Sequence, residues 1–191
     1  MPGRGAAGTD HLAGRVASAL GAPVFVVHRL DQATSGLMLL ALSAPVQRTL
    51  NQAFAERRVV KQYIAVVDGW LADDAGCIDL PLAADWPNRP RQRVSHELGK
   101  PSETRWRVLE RWTLEGQSAV RRTRLALEPI TGRSHQLRVH LAAIGHPIVG
   151  DALYAAPADA ALPRLLLHAS ALGLQHPVGG HALNFSSTAP F

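Results

Sequence analysis

Between two apolar runs, VFVV (24–27) and GLMLLAL (36–42), the chain carries HRLDQATS, crowded with a histidine, an arginine, an aspartate, a threonine and a serine. A loop that only reverses the chain needs a Gly or an Asx residue. No turn requires an arginine two positions before an aspartate. A cation held near a carboxylate offsets the desolvation that would raise its pKa and keeps it ionised, the state a nucleophilic carboxylate needs. Asp31, near Arg29, is therefore the first candidate reactive group. Taken alone, the loop also suits a plainer reading, an Asx-turn aspartate with Thr34 and Ser35 satisfying its backbone.

The second informative stretch is PITGRSHQLRVHLAAIGHPIVGD (129–151). Thr131 or Ser134 is placed to cap a helix whose apolar stripe is Leu137, Leu141 and Ile144, with Gly145 stopping it before Pro147. Arg133 lies at the positive N-terminal end, where free N–H groups favour an anion such as a phosphate. Residues 135 and 138 share a face beside the stripe. Other chemistries lack their patterns. No HExxH or Cys/His spacing marks a metal site, Ser35-Gly36 has no nucleophile elbow around it, and TGRSHQ has too few glycines for a P-loop.

Several elements must hold these two stretches. The apolar runs at 24–27 and 36–42 read as buried strands. Ser43 and Pro45 start a helix through Val46, Leu50 and Phe54 that closes at Arg57 and Arg58. KQYIAVV (61–67) is a strand ended by Asp68-Gly69. Residues 70–103 are rich in proline and glycine, and DWPNRPRQRV is expected as an ordered basic loop or short hairpin. TRWRVLE and RTRLALE alternate as half-buried antiparallel strands, and RLLLHASALGL and HALNF close the chain as strands. Strands outnumber helices, so the fold class is α+β: a mixed, mainly antiparallel sheet with flanking helices and a central active-site cleft.

The 191 residues suit a single domain spanning 1–191. Apolar residues make up 47% of the chain, mean hydropathy is +0.00, and no apolar stretch reaches the length of a membrane span. The start shows no apolar core of a secretory signal, and a single cysteine, Cys77, excludes an internal disulfide framework. A cytoplasmic, membrane-free protein is expected. A net charge of +5 and a pI near 10.3 suggest a polyanionic partner. The basic clusters at 57–61, 89–93 and 121–124 make nucleic acid a leading candidate.

The segments HRLDQATSGLMLLA, RRVVKQYIAVVDG, PITGRSHQLRVHLAAIGHPIVGDALY and RLLLHASAL, in that order and at these separations, resemble the RluA family of pseudouridine synthases. The resemblance runs from about residue 2 to the C-terminus. LPLAADWPNRPRQRV and GKPSETRW look most like the family's small dual-specificity branch, which modifies both 23S ribosomal RNA and tRNA. The resemblance implies isomerisation of specific uridines in structured RNA, such as a tRNA anticodon stem-loop and a 23S rRNA hairpin. The glycosidic bond breaks at N1, the uracil rotates, and C5 joins the sugar. No cofactor and no metal are implied.

By that resemblance Asp31 attacks the sugar or removes its C2′ proton, Tyr63 lies against the uracil and helps remove the C5 proton, and Arg138 pairs with the aspartate. Arg29 fills the space left by the flipped base, with His28, Thr34, Arg133, His135 and Gln136 in the same RNA-contacting set. Arg58, Lys61, Arg89, Arg91 and Arg93 are further basic RNA contacts. Many relatives carry an S4 RNA-binding module, for which this chain has no room, so recognition is expected from the catalytic domain of a monomer. Family members also begin with a strand bearing a Lys-Pro pair upstream of the point matching PGRG, and Met1 falls almost there. A late start that lacks this strand is expected. A non-catalytic RNA-binding or chaperone protein of the same fold is the alternative, and a uridine-directed glycosidase using Asp31 is a third.

Overall fold

The computed structural model describes residues 11–115, 120–160 and 162–191; the PGRG stretch lies outside them. In chain order the elements are α1 (Leu12–Leu20), β1 (Phe25–Val26), β2 (Ser35–Gly36), β3 (Leu40–Ala41), α2 (Ala44–Ala55), β4 (Val60–Asp68) and β5 (Ala75–Asp79). There follow β6 (Leu82–Ala84), β7 (Gln92–Val94), β8 (Glu103–Leu114), β9 (Val120–Pro129), α3 (Gln136–Ala143), α4 (Pro157–Ala160), β10 (Leu167–Gln175) and β11 (Ala182–Ser186). The main sheet runs β11-β10-β4-β9-β8-β5, antiparallel throughout, with β2 joining β10 in parallel; β1-β3 and β6-β7 form separate antiparallel pairs. No helix among the described residues is long and apolar enough to cross a membrane.

Alternation in β4 sets the position of the cleft. Side chains two apart share a sheet face, so Lys61, Tyr63, Ala65 and Val67 point the same way. Opposite them in register stand Leu127 and Leu125 of β9 and Leu167 and Leu172 of β10. The last two are an odd number of residues apart, and they face alike because a bulge between Ala169 and Ala171 inserts one residue and resets the alternation. One core cluster, with Val67, Leu125, Leu127, Leu141 and Ile148, joins α3 to the sheet. A second, with Ala41, Leu50, Ala53, Leu172 and Leu174, joins α2 and β3 to it. Tyr63 packs on the edge of the first cluster, and two residues before it Lys61 faces Leu172 of the second.

Several expectations hold and several are corrected. Helix α2 starts at Ser43, whose Oγ accepts from the Val46 N–H, with Pro45 in its first turn. The strands expected at 61–67, TRWRVLE and RTRLALE are β4, β8 and β9. DWPNRPRQRV is the turn and return strand of the β6-β7 hairpin. The apolar runs flanking HRLD, expected as full buried strands, are reduced to two-residue, mostly half-buried pairings, because the chain switches from β3 to β10 as its partner within a few residues. Strand β5, inside the proline- and glycine-rich stretch, was not expected; only Ile78 is buried along it, so it carries little apolar signal. Ile144 is 36% exposed and ends α3 instead of extending its apolar stripe.

Candidate active site

Residues 28–39 form the loop that carries Asp31, and three contacts fix it. Gly36 has φ +110°, and a Cβ there would lie 2.3 Å from the Ala169 carbonyl oxygen, so only glycine brings the loop against β10. Next to it, His168 bridges the Ser35 Oγ (2.9 Å) and the Ser187 Oγ (3.0 Å), while Arg164 donates to the Ser35 Oγ. At the other end His28 stacks on Phe54 with ring centroids 4.7 Å apart, and its Nε2 accepts from the Leu39 N–H at 2.9 Å. Burial, assisted by the charge of Lys61, lowers the His28 pKa to about 4. The ring is neutral at pH 7, as an acceptor must be. Within the loop the Thr34 N–H closes a turn on the Asp31 carbonyl at 2.9 Å.

The partner of the Asp31 carboxylate is Arg138, not the neighbouring Arg29. Arg138 Nη1 lies 3.3 Å from Asp31 Oδ2, while its Nε and Nη2 donate to the two oxygens of Asp151 at 2.8 Å each. Arg138 is 5% and Asp151 1% exposed, so the solvated helix position that α3 offers Arg138 by sequence alone is not the observed one. Burial alone would lower the arginine's pKa; the hydrogen bonds and charge of Asp151, with Asp31, hold it above its ordinary value. Asp151 Oδ1 also accepts from the Leu153 and Tyr154 N–H groups, which orients the carboxylate before the arginine meets it. His135, in left-handed conformation at φ 53°, places Nε2 4.0 Å from the same Asp31 oxygen and Nδ1 2.8 Å from the Tyr154 hydroxyl. Both groups therefore address Oδ2, and among the described residues no hydrogen bond engages Oδ1.

The cleft has a volume of about 490 Å³, within the roughly 300–1,000 Å³ range of small-molecule sites. His28, Arg29, Asp31, Thr34, Lys61, Tyr63, Arg133, His135 and Arg138 all line it. Five of the lining side chains are cationic, Arg29, Arg57, Lys61, Arg133 and Arg138, against one carboxylate, Asp31. Burial, then the charge of Asp31, pushes the Tyr63 phenol up to about 12. Burial and the charge of Arg57 lower Lys61, opposed by Glu128. A site with this surplus of positive charge suits an anionic ligand.

Two expected RNA contacts are otherwise engaged. Gln136 is 4% exposed; its Oε1 accepts from the Thr131 hydroxyl and the Arg133 N–H, and its Nε2 donates to the Glu103 carbonyl and the Thr104 hydroxyl. It braces the turn into α3 and has no polar capacity left for a ligand. Thr131, expected as a cap, joins that brace, and the N-cap residue is His135, which makes no side-chain capping bond. Arg58 pairs with Glu56 at 2.7 Å and borders a different surface, beside β10 and β11. Arg89, Arg91 and Arg93 stand outside the cleft on the β6-β7 hairpin; Arg89 lies 3.4 Å over the Trp86 ring, and Arg91 donates to the Leu153 carbonyl.

Three members of the site were not singled out by sequence. Arg57 turns into the cleft because the chain reverses there at φ 59°, a conformation that only the folded chain reveals. Asp151 and Tyr154 follow α3 in GDALY, the end of a segment that carries the family resemblance, with no role assigned to either. An aspartate and a tyrosine flanking a buried arginine become a unit only once Gly150, at φ +78°, has turned the chain under α3.

Residues 9–143 match the RNA pseudouridylate synthase family. The chain is 50% identical over 166 residues to the dual-specificity RNA pseudouridine synthase RluA of Escherichia coli K12, covering 86% of this chain and 73% of that protein. It is 51% identical to the protein of the same name from Yersinia pestis, covering 86% and 78%. In solved structures it superposes on human RNA pseudouridylate synthase domain containing 1 with a TM-score of 0.80 at 30% identity, covering 93% of this chain and 74% of the other. With human RNA pseudouridylate synthase domain containing 4 the TM-score is 0.70 at 26% identity, covering 93% and 76%. A cleft with one carboxylate among five cations is thus found in a chain that belongs to the RNA pseudouridylate synthase family, on its RluA branch, whose members are isomerases acting on RNA.

Proposed function

We propose that Asp31 is the group that starts the isomerisation, that Arg138 and His135 orient it, and that Tyr63 holds the uracil. The observation that carries this reading is the Asp151-Arg138-Asp31 line. Two nitrogens of a buried guanidinium are fixed by Asp151, and the third is left for Asp31. Oδ1 of Asp31 then faces the substrate. It attacks C1′ or takes the C2′ proton; in either case the N1–C1′ bond breaks and uracil leaves with the electron pair. Tyr63 supplies a ring for stacking. Its phenol is held protonated by burial and by the Asp31 charge. When C5 bonds to C1′, the Asp31 carboxylate is released from its ester, or has returned the proton to C2′, and is again a base; Tyr63 then helps remove the C5 proton by passing its own hydroxyl proton on as it takes the new one, and the proton lost at C5 balances the one that N1 gains.

Arg29, exposed on the same loop and lining the cleft, fills the gap left in the RNA when the uridine flips, since its planar cation stacks and hydrogen-bonds together. Lys61, Arg57 and Arg133 take flanking phosphates. The RluA relatives carry the name dual-specificity, and we extend this to the chain: a tRNA anticodon stem-loop and a 23S rRNA hairpin are its substrates, bound by a monomer in the cytoplasm. The test is incubation with separate transcripts of the two stem-loops, followed by chemical mapping of pseudouridine. Modification of one uridine in each supports the reading. Loss of a base from either would mean glycosidase chemistry, and binding with no product would mean a non-catalytic protein.

A further inference from the structure

The Tyr154 hydroxyl has two hydrogen-bond partners among the described residues, the Gln92 N–H at 2.8 Å and His135 Nδ1 at 2.8 Å. The backbone amide can only donate, so one hydroxyl lone pair is taken. The hydroxyl proton then has one acceptor in reach, His135 Nδ1, provided that nitrogen is bare. A neutral imidazole with a bare Nδ1 carries its proton on Nε2, and Nε2 is the atom 4.0 Å from Asp31 Oδ2. The opposite tautomer would turn two donors on the hydroxyl oxygen and leave the phenol proton without a partner. Burial raises the Tyr154 pKa, so the phenol keeps that proton through the neutral range. Two guanidinium groups lie over the ring, Arg138 at 5.1 Å and Arg91 at 5.4 Å from its centroid.

We propose that Tyr154 is a positioning residue that sets the His135 tautomer, aims Nε2–H at Asp31, and makes the β6-β7 hairpin part of the catalytic apparatus through the Gln92 amide. This rests on Asp31 being the reactive carboxylate. Gln92 opens β7, the return strand of the hairpin that bears Arg89, Arg91 and Arg93, so a shift of the hairpin reaches His135 through two hydrogen bonds, and His135 stands 4.0 Å from the carboxylate. The relay also disfavours imidazolium: a proton on Nδ1 displaces the phenol proton from its acceptor. It acts with burial, the first cause of the lowered His135 pKa, and with the charges of Arg138 and Arg29, against those of Asp31 and Asp151.

The test begins with the wild-type chain labelled with 15N-histidine. Long-range 15N–1H spectra at neutral pH should show His135 protonated on Nε2 and bare at Nδ1; a proton on Nδ1 would overturn the relay without any variant. Tyr154→Phe keeps the ring and removes the hydroxyl. Its His135 should titrate at higher pH than in the wild type, and its single-turnover rate on a stem-loop should fall about tenfold, the low end of what partners that orient a histidine contribute in metal sites. RNA affinity should stay within about twofold, and the rate deficit should widen as pH falls. His135→Gln, which retains an N–H donor, should keep more activity than His135→Ala. An unchanged rate, or a loss of affinity as large as the loss of rate, would overturn the proposal. The tautomer is read in the free protein whether or not Asp31 is the reactive carboxylate, so its failure is distinct from a failure of the Asp31 assignment, which Asp31→Asn exposes.

Discussion

The two walls of the cleft are built by opposite strategies. On the α3 side the groups that back the cleft are inside the protein: Gln136, Arg138, His140 and Asp151 are all below 6% exposed, and each makes two or more hydrogen bonds to other protein groups, while exposed Arg133 and half-buried His135 reach the cleft from the same side. On the other side Asp31 and Arg29 ride a loop held by two-residue strands, with Arg29, Gln32 and Ala33 exposed. The difference fits the roles proposed for them. A cation that aims a carboxylate gains from rigidity, since a misplacement of about an ångström can cost roughly a hundredfold in rate. A group that enters RNA and withdraws needs a backbone that water can solvate at every stage.

The largest effects come from breaking each wall at its carboxylate, and they should differ in kind. Asp31→Asn should lower turnover by about three orders of magnitude or more, while the melting temperature and RNA affinity change little, because the site is half-open and an amide fits the same space. Asp151→Ala removes the bidentate partner of a buried guanidinium and should cost about 3–5 kcal/mol of stability, together with most of the activity. Denaturant unfolding and single-turnover assays on both variants decide the matter. Equal stability losses would erase the distinction between a built-in wall and a loop-borne one.

The loop's own anchor gives a smaller, pH-dependent effect. His28 accepts the Leu39 N–H and is held to a pKa of about 4 by burial and Lys61, against an ordinary value near 6.5 in the unfolded chain. As pH falls below 6.5 the unfolded state takes up the proton first. Stability is therefore full above about pH 6.5 and declines toward pH 4, by roughly 3 kcal/mol at most. Burial also lowers His135, His140 and His168, so their contributions have the same sign. Urea unfolding between pH 7.5 and 4.5 should show His28→Gln less stable at neutral pH but with a shallower acid decline. A decline of unchanged steepness would place the acid sensitivity in the other three.

What was legible in the sequence follows the same division. Strands β4, β8 and β9 could be read because alternation over several residues is a local consequence of one buried face, and α2 because Ser43 and Pro45 sit where its first turn needs them. Asp31, Tyr63 and Arg138, which line one cleft, were singled out through long motifs whose joint order is informative. Gln136 lines the cleft, and an amide two residues from Arg138 resembles a ligand contact until its four partners, spread over Glu103, Thr104, Thr131 and Arg133, are seen. Asp151 and Tyr154 escaped for a related reason: their meaning lies in a turn at Gly150 and a hairpin some sixty residues earlier in the chain. Strand β5 and the two-residue strands lacked the length over which any periodicity could register.

The smallest effect sharpens the comparison by moving outside both walls to the β6-β7 hairpin. Trp86 there is 66% exposed, with one face covered by the Arg89 guanidinium, and Arg93 is exposed on β7. Neither arginine lines the cleft. If both meet phosphates, each contact releases condensed counterions, and removing one should reduce the slope of log affinity against log salt by about 0.7–0.9. Arg89→Ala and Arg93→Ala should each weaken binding similarly for any stem-loop sequence, with single-turnover rates at saturating RNA left unchanged. Binding titrations at several salt concentrations measure the slope. An unaltered slope would remove the hairpin arginines from the RNA interface. A lowered saturating rate in Arg93→Ala, one residue from Gln92, would instead mean that the hairpin's hold on Tyr154 is sensitive to its cations, which would tie the most exposed element of the site to its most buried one.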